Sequence, residues 1–115
     1  MSTTPSATRP PRVERRRAPR IAVPAAGWPV SVVGARLRDV SAYGMMIESP
    51  VALTVDSELQ FRLVVEGENT DVGARVAACA PLSGPRRAYG VGLEFTRIDE
   101  DVRARLARVL ARAGP

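Results

Sequence analysis

Two short stretches of this chain hold side chains whose types and spacing could do chemistry. One is "ERRRAPR", residues 14–20, in which Arg16 and Arg20 stand four residues apart behind Arg15. The other is "DVSAYG", residues 39–44, with Asp39, Ser41 and Gly44 in one turn-like segment. A guanidinium fork matches paired acceptors such as phosphate oxygens or the O6/N7 edge of guanine, and it also stacks on a base face. A carboxylate accepts from the N1 and N2 donors on guanine's other edge. Arginines on an arm beside an Asp/Ser turn on a rigid sheet therefore suit a guanine nucleotide with several phosphates. Gly44, lacking a side chain, would let a ligand or the folded-over arm come close. Each stretch also has an ordinary explanation. Charge runs are usually solvated arms, and Asp, Ser and Gly are common in hairpin turns, where Gly44 would supply a positive φ.

The charge distribution bears on that choice. The chain has 115 residues and a formal charge of +5. All of that excess lies in residues 1–20, where Arg9, Arg12, Arg15, Arg16, Arg17 and Arg20 face Glu14 alone. The remainder balances to zero. An arginine arm on a neutral body implies an anionic partner. Every basic residue is arginine, and histidine is absent, which removes the commonest general base and metal ligand. With no glycine-rich phosphate loop, no metal-ligand cluster and no base near Ser41, neither catalysis nor a metal or other cofactor is expected. Cys79 has no partner for a disulfide within the chain and reads as a buried small apolar residue, which suits a reducing cytoplasm. The weakly polar stretch 21–35 is broken by Pro24, Gly27, Pro29 and Gly34, so no membrane span is expected.

The elements that must position these residues are mostly strands. Residues 1–13 carry Ser, Thr, Pro and Arg with little to bury and are expected to be a disordered tail. Pro10, Pro11 and Pro19 favour an extended arginine loop over 14–20, with Arg16 and Arg20 on one side and roughly 13 Å apart along the backbone. "LQFRLVV" sets Leu59, Phe61, Leu63 and Val65 on one face, and "AYGVGLEFT" does so with Tyr89, Val91, Leu93 and Phe95, leaving Gly90, Gly92 and Glu94 opposite. "TDVGARVAACA" alternates through Val72, Ala74 and Val76, and "WPVSVV", "ARLRDV" and "GMMIES" complete six short strands. This pattern predicts an antiparallel barrel or sandwich. Trp28 reads as core or rim more than as a stacking platform. From Asp99 the period changes: Val102, Leu106, Val109 and Leu110 recur at helical spacing behind three acids, predicting an amphipathic helix over 99–113 that packs on the sheet or on a partner.

The two motifs resemble the signatures of the PilZ domain family, bacterial receptors for cyclic-di-GMP. The Arg, three residues, Arg element is matched by Arg16 and Arg20, with Arg15 giving the double-arginine form. The Asp/Asn, one residue, Ser, two residues, Gly element is matched by Asp39, Ser41 and Gly44, and "YGVGLEF" is similar to the family's final core strand. The likeness covers roughly residues 14–100. It implies a mainly β fold, a six-stranded antiparallel β-barrel over 14–98 with a flexible N-terminal arm and a C-terminal α-helix. It also implies that Arg16 and Arg20 hold phosphates and guanine edges, that Asp39 and Ser41 contact a guanine, and that Gly44 keeps the turn. Arg15 occupies a position linked in the family to the number of ligands bound. The functional expectation is a cytoplasmic cyclic-di-GMP receptor or adaptor whose arginine loop reorders on binding and signals to an unidentified downstream protein. Two alternatives stand beside it: a PilZ-like interaction module that does not use the nucleotide, and a small barrel that binds nucleic acid through its basic arm. The low aromatic content, 4%, disfavours the last, since single-strand binding relies on stacking platforms.

Overall fold

The computed structural model describes residues 21–22 and 28–113. The expected tail 1–13 and arginine loop 14–20 lie outside them. Six strands make the barrel: β2 (Val30–Val32), β3 (Arg36–Val40), β4 (Gly44–Ser49), β5 (Glu58–Val65), β6 (Glu68–Pro81) and β7 (Tyr89–Arg97). A two-residue β1 (Ile21–Ala22) precedes them, and one helix, α1 (Glu100–Ala113), follows. All six strands expected from the period-two pattern form, in a mainly β fold.

Strand order around the sheet is β1-β3-β4-β7-β6-β5-β2, with every pairing antiparallel. The strands β2 and β3 stand near opposite ends of that order, yet only Val33, Gly34 and Ala35 separate them in sequence. So short a link forces the two ends of the sheet together and curls it into a nearly closed barrel, with Gly34 at φ +86° taking the sharp turn. No ladder joins β2 to β3, which leaves a seam. The short β1 pairs along the β3 edge at this seam, Ile21 opposite Val40 and Ala22 opposite Asp39. Two residues carry no alternation to read, so the sequence pattern does not reveal β1.

The core follows the alternation. Val30, Val32, Leu37, Val40, Met45, Ile47, Leu63, Val65, Val72, Ala74, Val76, Val91, Leu93 and Phe95 are all buried. Leu59, Phe61, Tyr89 and Trp28 are partly buried at the core's margin, so Trp28 is a rim residue. Cys79 differs from expectation. It is only half-buried, because it sits near the end of β6 opposite Val91, and its sulfur accepts a hydrogen bond from the Leu53 N–H at 3.5 Å. The β5–β6 hairpin turns through Glu66 and Gly67 at φ 52° and 84°, the paired positive φ of a two-residue loop that matches strand twist.

Helix α1 docks on the barrel. Val102, Leu106, Val109 and Leu110 form its buried stripe, Glu100 and Asp101 favour its N-terminal dipole end, and Arg112 its last turn. Ion pairs tie it to the β5–β6 hairpin: Arg105 to Glu68, and Arg112 to Glu66 at 2.7 Å. Exposed pairs of this kind add little, about 0–1 kcal/mol each, so apolar burial holds the helix. Leu106 is 0% exposed. Its truncation to alanine is expected to cost about 2–5 kcal/mol, read as a lower urea midpoint with an unchanged slope.

Candidate functional site

The Asp39–Gly44 segment is the hairpin that joins β3 to β4, and a bulge sets its geometry. Register runs Arg36 to Glu48 and Leu37 to Ile47, then shifts, so that Asp39 faces Met46 and Val40 faces Met45. Leu37 and Val40 are both buried, and the extra residue leaves Arg38 and Asp39 both outside the core, exposed and half-buried respectively. Strict alternation would have sent one of them inward. A bulge commonly re-aims a side chain in this way.

Three interactions fix the turn. The Ser41 N–H donates to the Gly44 carbonyl at 2.8 Å, and the Ser41 Oγ accepts from the Tyr43 N–H at 3.1 Å. The Phe95 N–H donates to the Tyr43 carbonyl at 2.9 Å, fastening the turn to β7. Ser41 is 3% exposed. Its hydroxyl is thus engaged in holding the turn, a side-chain-to-backbone bond for which serine is well suited.

Gly44 corrects one expectation. Its φ is outside the left-handed region, where Gly34, Gly67 and Gly84 lie. The glycine is needed for packing: a Cβ there would stand 2.3 Å from the Leu93 carbonyl oxygen of β7. The close approach is made by a neighbouring strand of the barrel. Gly44 pairs with Glu94, which in turn pairs with Arg75 across β7 and β6. Arg75 donates to Glu94 at 2.7 Å and to Asp56 at 2.5 Å, and its pKa is raised, chiefly by the bond to Glu94.

The turn also meets the helix. Arg103 of α1 donates from Nε to the Ala42 carbonyl at 3.2 Å and lies over the Tyr43 ring, 5.1 Å from its centroid, while its Nη1 bonds Glu100 at 2.9 Å. Arg103 was invisible as a site residue in the sequence, where it is one of several arginines on the helix's polar face.

Beside the bulge, several outward positions of the barrel carry small residues. Asp39 pairs with Met46, Met46 with Gly92, and Gly92 with Ala78; one step along, Glu48 pairs with Gly90 and Gly90 with Ala80. These positions alternate with buried neighbours and so face outward. A Cβ on Gly92 would meet only the Ala78 Cβ, at 3.9 Å. The result is an outward row of Met46, Gly92 and Ala78 beside Asp39, open above Gly92. Sequence alternation set Gly92 on the outer face, but its neighbourhood to Asp39 depends on β4 pairing with β7, across more than forty residues of chain.

Of the sequence-derived site residues, the structure therefore brings Asp39, Ser41 and Gly44 together in one turn. Arg15, Arg16 and Arg20 lie outside the described residues. Among the described residues, no group of three or more His, Cys, Asp or Glu is placed to hold a metal ion, and no helix is long and apolar enough to cross a membrane.

The PilZ domain family model matches residues 14–112, nearly the whole chain. The chain belongs to the PilZ domain family. No curated protein sequence matches it. Among solved structures, the PilZ fold is similar to that of MrkH from K. pneumonia in complex with c-di-GMP, with TM-score 0.70 and 18% identity, over 84% of this chain and 51% of MrkH. A second structure of MrkH, described as a c-di-GMP-dependent transcription regulatory factor, aligns with TM-score 0.66 and 16% identity over 85% of this chain and 50% of that one. This PilZ chain thus spans about half the length of MrkH. It is also similar to the PilZ domain of YcgR from Escherichia coli with c-di-GMP, with TM-score 0.65 and 18% identity, over 86% of this chain and 91% of that one.

The packing at Gly44 gives a direct test. Gly44→Ala must displace backbone of β7, an overpacking expected to cost about 1–3 kcal/mol or more. A lowered thermal midpoint without ligand is the expected result; a residue reserved for ligand approach would leave that midpoint unchanged.

Proposed function

We propose that this PilZ domain is a cyclic-di-GMP receptor that reorders its N-terminal arginine loop on binding and signals occupancy to a partner protein. The observation that carries this reading is the β1–β3 pairing. Ile21 and Ala22 lie directly beside Val40 and Asp39, and Arg20 is bonded to Ile21. The arginine run therefore joins the barrel at the edge of the Asp39 turn. The two residues that follow the arginine run are thus paired with the strand that carries Asp39.

The chemistry divides between a rigid and an adjustable part. Asp39, held outward by the bulge, accepts from the N1 and N2 donors of a guanine. Arg15, Arg16 and Arg20 supply forks for phosphate and for the O6/N7 edge. The row of Met46, Gly92 and Ala78, open above Gly92, gives the base or ribose room to lie flat. Ser41 and Gly44 act one step back, holding the turn that presents Asp39. Kinship with a family of such receptors, and likeness to two proteins whose structures contain c-di-GMP, support the ligand's identity.

Occupancy has two routes outward. One is the arm itself, whose ordering changes the surface at the seam. The other is Arg103, which links the turn carbonyl of Ala42 and the Tyr43 ring to α1.

Calorimetric titration of cyclic-di-GMP at near-physiological salt tests the reading. The wild type is expected to bind saturably, with Arg16→Ala and Asp39→Ala each about tenfold weaker or more, the scale of one lost charged hydrogen bond. Absence of saturable heat in the wild type refutes the receptor reading and leaves an interaction module. For the relay, Arg103→Ala is expected to keep affinity within a few-fold while abolishing the ligand-dependent change in amide exchange along α1.

A further inference from the structure

A second feature lies beside Asp39. The loop between β6 and β7, residues 82–88, stands over the outer face and encloses an open groove of about 440 Å³ with Arg38 and Glu48 on its other bank. Leu82, Pro85 and Ala88 give it apolar surface, and Arg86 is among its lining residues. The size falls in the range of small-ligand sites. The loop is braced: the Leu82 N–H donates to the Ala88 carbonyl at 2.9 Å, and the Leu82 side chain would sit 3.2 Å from a Cβ on Gly90.

The groove's two cations are loosely held. Arg38 reaches Glu48 only at 3.4 Å, longer than the usual 2.7–2.9 Å of a charged N–H···O bond. Arg86 is exposed, and none of the ion pairs among the described residues includes it. Two guanidiniums against one carboxylate leave the lining with a net positive charge. Because of the bulge, the groove begins at the very next residue from Asp39 on the same outer face.

Resting on the receptor reading above, we infer that this groove is a second subsite for the same ligand and takes its distal guanylate half. Arg38 and Arg86 hold a phosphate or the O6/N7 edge of the distal base. Glu48 accepts from that base's amino group, and Leu82 and Pro85 cover its face. The arginine loop and Asp39 hold one half of the dinucleotide, and the 82–88 loop the other. The braced loop needs little further ordering on binding, which favours affinity.

Arg87 supplies the internal control, since it carries the same charge on the same loop but does not line the groove. Cyclic-di-GMP is titrated by calorimetry into wild type, Asp39→Ala, Arg38→Ala, Arg86→Ala and Arg87→Ala, each checked by thermal melting. The expected result is a loss of about tenfold or more for Arg86→Ala and Arg38→Ala, with Arg87→Ala within about twofold of wild type. If Asp39→Ala weakens binding while Arg86→Ala behaves like Arg87→Ala, the receptor reading stands and the second subsite is overturned. No saturable binding by the wild type overturns both.

Discussion

The contact on which the site depends is between backbones. At Gly44 the first residue of β4 lies so close to the Leu93 carbonyl that no side chain fits between them. That closeness starts the β4–β7 ladder at the turn itself, with Gly44 opposite Glu94 and Tyr43 bonded to Phe95 one residue earlier. A turn seated this tightly has little freedom left, and the Ser41 hydroxyl removes more. The bulge then fixes Asp39 from the other side. Presentation of a single carboxylate thus draws on a glycine, a serine and an irregularity in strand pairing, none of which needs to touch a ligand.

Electrostatics follow a similar division between support and availability. In the barrel and helix, Arg38, Arg62, Arg75, Arg103, Arg105 and Arg112 pair with acids. Such surface pairs contribute little stability individually, but they make the body electrically quiet. The net charge then resides in the arm, residues 1–20, which carries the whole +5 excess. An anion approaching this molecule is attracted chiefly by that excess.

Much of the fold was legible because alternation in a half-buried strand is a strong signal: Leu63, Val65, Val91 and Leu93 could hardly face water. The helix was equally clear from Val102, Leu106, Val109 and Leu110. The site was legible only as residue types. Asp39, Ser41 and Gly44 were found from their spacing, and family resemblance supplied their roles. What they do physically was not visible, since Gly44 answers to Leu93, forty-nine residues on, and such distant contacts leave no periodic trace. Met46, Gly92, Arg38 and Arg103 were missed for the same reason. Their meaning comes from strand order and from where a helix lands. Cys79 was misjudged because burial at a strand's end depends on what loops cover it, and with the Leu53 N–H on its sulfur it is still only half-buried.

The open row beside Asp39 has a consequence for how stability and recognition are divided. At Gly44 the two are inseparable, since any added atom collides with the barrel's own backbone. At Gly92 they come apart: the backbone is in an ordinary region, the space above is open, and the added atom would project outward. Bulk can therefore accumulate there without harm to folding while closing the face to a flat ligand. Two glycines on adjacent strands thus stand under different constraints, one closed in by the barrel's backbone and the other open above. On the receptor reading proposed above, loss of the ligand would free residue 92 to change while residue 44 stays fixed by the fold.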